Sequence, residues 1–155
     1  MIYVYNAGPL FSEADIKQRK YEGNKLRELL SNLDSFVANP IDLPFDNSRV
    51  LTSKEIFEED VKHIDLANVF FFELATGDTG TMVEFGQVIE KIRNKKEILI
   101  YPIFSDLRLA RNNAVGVECP IGFNSFLVGA CTSHKLKIYD TFEEAFEAFK
   151  RDLTR

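Results

Sequence analysis

The stretch Leu74-Ala75-Thr76-Gly77-Asp78-Thr79-Gly80-Thr81-Met82-Val83-Glu84-Phe85-Gly86-Gln87-Val88-Ile89-Glu90 decides the fold. Before it runs Val69-Phe70-Phe71-Phe72-Glu73, a continuous apolar segment that predicts a buried strand. Thr76-Gly77-Asp78-Thr79-Gly80 is a loop by its breaker residues. Met82, Phe85, Val88, Ile89 and Ile92 then recur at spacings of three and four, which predicts a helix. Strand, glycine loop and helix is where open α/β sheets place ligands, beyond the carboxyl ends of their strands. Two carboxylates stand there. Glu84 suits a nucleophile and Asp78 a proton donor. A plainer alternative is open: Thr81-x-x-Glu84 matches a capping box, and Asp78 an ordinary turn residue.

The 155 residues predict one domain spanning 1–155. Hydrophobic and charged fractions of 45% and 28% are ordinary globular values. Fourteen Phe with no Trp predict a Phe-rich core. A net charge of −5 without a basic block argues against nucleic acid or an anionic membrane as partner, but not against an uncharged nucleoside. Cys119 and Cys131 form neither a disulfide framework nor a zinc motif, and both suit buried apolar positions. The start Met1-Ile2-Tyr3-Val4-Tyr5 carries no basic leader, and no apolar run approaches a membrane span, so a cytoplasmic location is expected.

Residues 2–5 predict a first strand, and Ser12 caps a helix running to about residue 33, with Gly23 as a weak point inside it. Residues 35–38 predict a second strand. Residues 39–50, with Pro40, Pro44, Asp46 and Asn47, predict a binding loop. A helix beginning at Ser53 carries the stripe Ile56, Phe57, Val61, Ile64 and Ala67. Asp60 falls inside that stripe; Glu58, Glu59, Lys62 and His63 fall outside, so His63 is expected in solvent. Residues 97–103 and 135–140 predict two more strands, 123–132 a buried helix, and Thr141 the start of a last helix. Arg111-Asn112-Asn113 signals a turn. The alternation predicts an α/β, flavodoxin-like three-layer sandwich with a five-stranded parallel sheet, order 2-1-3-4-5. In that order strands one and three are neighbours, which places Tyr5-Asn6-Ala7-Gly8 beside Gly77-Asp78.

Asp60, Asp78 and Glu84 thereby point to one crevice. A carboxylate on the core side of a helix is costly unless paired or used, and Asp60 admits either a site role or the capping of a neighbouring loop. Paired carboxylates are what glycosidic cleavage needs: one attacks the anomeric carbon, another protonates the leaving group. Glu84 near a helix N-terminus is expected in a positive end-field that keeps it ionised. The loop after strand one lacks the hydroxyls of an FMN phosphate site and the acidic pair of a phosphoacceptor domain. No P-loop, Ser-His-Asp set or metal cluster is visible in the sequence, and no cofactor or metal is expected.

Val4-Tyr5-Asn6-Ala7-Gly8-Pro9-Leu10-Phe11, Glu59-Asp60, Gly77-Asp78-Thr79-Gly80-Thr81-Met82-Val83-Glu84-Phe85-Gly86 and Gly122-Phe123-Asn124 together resemble the nucleoside 2-deoxyribosyltransferase family. The resemblance implies that Glu84 attacks C1′ of a 2′-deoxynucleoside and that Tyr5 orients it. It implies that Asp60 and Asp78 bond the nucleobase, with Asp78 or its partner supplying the leaving-group proton. Phe11 and Met82 match wall positions, and Ser48 stands where some members carry a glutamine against the base. Asn124 matches an asparagine that reaches the sugar from a neighbouring subunit, which implies a homo-oligomer. Tyr5, Glu84 and the Gly8-Pro9 turn are expected around C2′. The chain departs from the family in ending Asp152-Leu153-Thr154-Arg155, where some members end in tyrosine. The expected activity is exchange of free nucleobases on 2′-deoxynucleosides by double displacement. Hydrolysis of deoxynucleosides or their monophosphates, and nucleoside binding without catalysis, are the alternatives.

Overall fold

A computed structural model of the chain describes residues 1–43, 48–94, 96–106 and 123–154. Cys119, Gly122, the turn at Arg111-Asn112-Asn113, and Pro44, Asp46 and Asn47 of the expected binding loop lie outside the described residues. In chain order the elements are β1 (Ile2–Ala7), α1 (Glu13–Leu30), β2 (Ser35–Ala38), a 3-10 turn (Pro40–Asp42), α2 (Ser53–Leu66), β3 (Val69–Glu73), α3 (Thr79–Arg93), β4 (Leu99–Ile103), α4 (Ser125–Ser133) and α5 (Phe142–Asp152). The strands form a parallel sheet in the order β2-β1-β3-β4.

β3 sits inside the sheet, and all five of its residues are buried. Successive side chains leave a strand on opposite faces. Phe70 and Phe72 therefore join Tyr3, Tyr5, Ile64, Phe85, Val88 and Val128 on one face. Val69 and Phe71 join Val4, Leu26, Leu30, Tyr101, Phe146 and Phe149 on the other. Helices α2, α3 and α4 cover the first face, and α1 and α5 the second. Burying each large aromatic is worth about 1.5–3 kcal/mol, so this Phe-rich double core carries the three layers.

Among the described residues four strands stand where five were predicted. The expected fifth, residues 135–140, contributes one parallel bridge, Tyr139 to Ile103. Tyr139 N–H donates to the Pro102 carbonyl at 2.9 Å and Phe104 N–H donates to Tyr139 at 2.8 Å. Pro102 has no N–H to continue that ladder, so the segment lies at the fifth position without becoming a strand.

Helix ends follow side-chain chemistry. Ser12 caps α1 in a reciprocal box with Asp15. The helix stops at Leu30, short of residue 33, where the Leu30 carbonyl accepts from Leu33 N–H and the Ser35 hydroxyl instead. Gly23 has a packing reason: a Cβ there would lie 2.5 Å from the Asn39 amide nitrogen. α2 begins at Ser53, as expected, and Thr52 caps it through a box with Glu55.

The α2 stripe is only partly buried. Ile64 is buried, but Ile56 and Phe57 are 43% and 52% exposed and line a cleft between α2 and α3. His63 is not in solvent. Its Nδ1 lies 2.6 Å from the Tyr3 hydroxyl, and its ring stacks on Phe36. The predicted buried helix is α4, which buries Val128 and Cys131 but leaves Phe126 89% exposed. Among the described residues no helix is long and apolar enough to cross a membrane, and no group of three His, Cys, Asp or Glu side chains is placed to hold a metal ion.

Candidate active site

Parallel pairing of β1 with β3 puts Tyr5 opposite Phe70 and lifts its ring onto the α2/α3 face. Its hydroxyl, reaching past the strand ends, donates to Glu84 Oε1 at 2.6 Å. Glu84 faces inward on α3 and Asp60 on α2. Both line a cleft of about 370 Å³ between the two helices, together with Ile56, Phe57, Val83 and Gln87. Asp60 Oδ1 is buried and has no hydrogen-bond partner among the described residues. That atom is an acceptor, or carries a held proton, with no partner among the described residues.

Burial is the main cause of the unusual acidities here. It pushes Glu84 up to about 7; the Tyr5 hydroxyl pulls back, and the Asp60 and Asp78 charges push further up. Burial also pushes Asp60 up to about 6, helped by Glu59. Tyr5 is raised by burial, then by Glu84 and Asp60, so it stays a hydrogen-bond donor. The end-field expectation for Glu84 is corrected. The N-cap of α3 is Asp78, so Glu84 lies beyond the first turn, where the dipole's influence has faded and desolvation wins.

The capping-box alternative is also settled. Asp78, not Thr81, caps α3, its Oδ2 accepting from Thr81 N–H and the Thr81 hydroxyl at 2.8 Å each. Glu84 is thereby left for Tyr5. Asp78 acts on Glu84 by charge but does not line the cleft.

The other predicted residues are dispersed. Gly8 is buried beside Arg19, where an added Cβ would overlap Arg19 Nη1. Met82 packs against the core cluster that holds Tyr5. Phe11 is 85% exposed and Ser48 is exposed, and neither lines this cleft. Asn124 caps α4, its Oδ1 accepting from Phe126 and Leu127 N–H, and it makes no hydrogen bond to Tyr5 or Glu84. Sequence reasoning missed Gln87 as a cleft residue. Its spacing of one turn from Glu84 was the available signal.

The fold and site define a class: a parallel α/β sheet that presents a tyrosine-bonded carboxyl and a second, unpartnered carboxyl beside its strand ends. The chain belongs to the nucleoside 2-deoxyribosyltransferase family, whose model matches residues 4–114. Its sequence is 31% identical over 141 residues to the uncharacterized protein UU063 of Ureaplasma parvum serovar 3, covering 86% of this chain and 85% of that one. The fold is shared with a conserved protein from Enterococcus faecalis V583, with TM-score 0.71, 23% identity and coverage of 98% and 99%. It is also shared with a 2-desoxiribosyltransferase from Leishmania mexicana, with TM-score 0.59, 22% identity and coverage of 96% and 97%.

Proposed function

We propose that this protein transfers the 2-deoxyribosyl group between nucleobases of 2′-deoxynucleosides through an ester on Glu84. The observation that carries the reading is the 2.6 Å bond from Tyr5 to Glu84, in a cleft shared with the unpartnered Asp60. Ionised Glu84 attacks C1′, a C1′–O bond forms, and the C1′–N bond breaks. The departing base takes its proton from Asp60, the second carboxyl of the cleft. An incoming base then attacks C1′, returns a proton to Asp60 and releases the Glu84 carboxylate. The balance needs no oxidant or cofactor. Asp60 suits the proton-donor role better than Asp78, whose Oδ2 is spent on the helix cap.

The two midpoints, about 7 for Glu84 and about 6 for Asp60, lie close together. Holding the single proton on Asp60 with Glu84 ionised therefore costs only about 1.4 kcal/mol. Apolar walls from Ile56, Phe57 and Val83 suit a planar ring.

Asn124, exposed at the start of α4 beside the exposed Phe126, is the residue assigned to a neighbouring subunit's site, which makes the working form a homo-oligomer. Size measurement by light scattering is expected to return a multiple of 17.8 kDa.

Intact-mass analysis after mixing with a deoxynucleoside and no acceptor is expected to show a deoxyribosyl adduct that maps to Glu84. An adduct elsewhere removes Glu84 from its role. Free deoxyribose released at one rate with and without a second base would make the enzyme a hydrolase. Tight binding without turnover would make it a binding module.

A further inference from the structure

The face of β1 opposite Tyr5 carries polar groups where a core would ordinarily be apolar. Asn6, Arg19, Glu22 and Asn39 are all at most 2% exposed. Asn6 donates from Nδ2 to Glu22 Oε2 at 3.0 Å and to Asn39 Oδ1 at 3.1 Å. Arg19 donates to Glu22 Oε1 at 2.6 Å, and Gln18 donates to the same oxygen at 3.0 Å. Asn39 returns its amide to the Arg19 carbonyl and to Asp42, which pairs with Arg27. The cluster thus ties the ends of β1 and β2 to α1. Arg19 Nε and Nη1 are buried under Gly8 without hydrogen-bond partners among the described residues.

Such a cluster is poor value as a stabiliser. Buried ion pairs are often matched or bettered by apolar residues of the same volume, and each unpartnered buried donor costs free energy. Its location suggests another use. Asn6 follows Tyr5, and neighbouring residues of a strand leave on opposite faces. Anchoring Asn6 from the α1 side fixes the backbone from which the long Tyr5 ring reaches towards α3. We propose that the buried Asn6–Arg19–Glu22–Asn39 cluster is a positioning device that holds Tyr5 in hydrogen-bonding register with Glu84.

The charged and titratable groups facing Glu84 are Tyr5 from β1, Asp60 from α2 with Glu59 behind it, and Asp78 from the start of α3. Those at the cluster are Arg19, Glu22, Asp42 and Arg27, with Glu73 of β3 acting on Glu22. Asn6 is neutral and bonds none of the groups that act on Glu84, so replacing it with leucine leaves the charges around Glu84 in place. Any change in Glu84 must then come through geometry. The Tyr5 hydroxyl favours ionised Glu84, so loosening that bond moves the Glu84 midpoint up.

The proposal rests on Glu84 as nucleophile only for its kinetic arm. The deciding experiment needs no turnover: carbon-13 titration of the carboxyl signals in glutamate-labelled protein, with Glu84 assigned by its absence in Glu84→Gln. Asn6→Leu is expected to raise the Glu84 midpoint towards the value in Tyr5→Phe. In the Tyr5→Phe background the same change is expected to add nothing, because one route carries the effect. Glu22→Gln keeps one acceptor oxygen where Glu22 offers one to Asn6 and another to Arg19, and is expected to fall between wild type and Asn6→Leu.

Should Asn6→Leu not fold, Asn39→Ala removes one Asn6 acceptor and is read the same way. In assays, kcat is expected to fall about 10- to 100-fold with KM little changed. A folded variant with a lower Tm but an unmoved Glu84 titration overturns the proposal. So does a shift of equal size in the Tyr5→Phe background. If no deoxynucleoside turns over, the proposed function falls, while the titration still decides the positioning role.

Discussion

Glu84 and Asp60 meet in one cleft, and the proposed transfer needs them in opposite charge states. With midpoints of about 7 and about 6, the pair passes through a singly protonated form over a narrow range. Below it both carboxyls hold protons and no nucleophile exists; above it both are ionised and no acid remains. The kcat/KM profile, which reports the free enzyme, is therefore expected to be a narrow bell with limbs near those two values. Asp60→Asn should lower kcat/KM by about 100-fold or more, the usual range for losing a general acid. It should also change the shape of the profile. The descending limb disappears, leaving one ascending limb at the Glu84 midpoint, which lies somewhat below 7 because the neighbouring charge that raised it is gone. A bell unchanged in Asp60→Asn, measured with a chromatographic base-exchange assay, would assign the acid to another residue.

Helix α3 owes its start to Asp78, and that gives the residue two separable jobs. Asp78→Ala removes an N-cap bond and is expected to cost about 1 kcal/mol in thermal melts. Asp78→Asn keeps a capping oxygen, so it should melt near wild type and retain more transfer than Asp60→Asn. A transfer loss in Asp78→Asn as deep as in Asp60→Asn, at unchanged Tm, would return the proton-donor role to Asp78. The strand-loop-helix of residues 69–93 was legible because its periodicity changes sharply at glycine loops and its central strand is apolar throughout. Ser12 was legible as a cap because Asp15 completes the box locally. Thr81-x-x-Glu84 fits a capping box as readily as it fits a Glu84 left for a site, and local pattern does not choose between them. Tyr5 claims Glu84 from 79 residues away and thereby settles the choice. Long-range contacts also hid His63, whose partners Tyr3 and Phe36 lie on other strands, and the Arg19–Glu22 pair, which looks like any solvated i,i+3 pair until β1 covers it. The fifth strand failed for a reason outside its own residues, the missing N–H of Pro102 in β4. Half-buried Asp60 was legible on a helical wheel because its neighbours at one-turn spacing are Ile56 and Ile64.

For the whole molecule, a site built by burying carboxyls is maintained at the expense of stability, and pH shows by how much. Glu84 rises from 4.5 to about 7 on folding, and Asp60 from 3.8 to about 6. Between each pair of values the native state binds more protons than the unfolded chain. The unfolding free energy therefore falls as pH rises through these windows, and the full penalty applies above the folded midpoints. For Glu84 the shift corresponds to about 3–4 kcal/mol at high pH. Exposed carboxylates with lowered acidities, such as Glu55 and Glu59, act in the opposite direction but are bathed in solvent and contribute little. Glu84→Gln removes the ionisable group while leaving an oxygen to accept from the Tyr5 hydroxyl. It should match wild type in Tm near pH 4.5 and exceed it near pH 8 by roughly 5 °C or more, given about 2–4 °C per kcal/mol for a chain of this size. Paired calorimetric scans at the two pH values check this. An equal Tm offset at both would mean that the variant acts through packing, and that Glu84 folds without holding a proton its unfolded form would release.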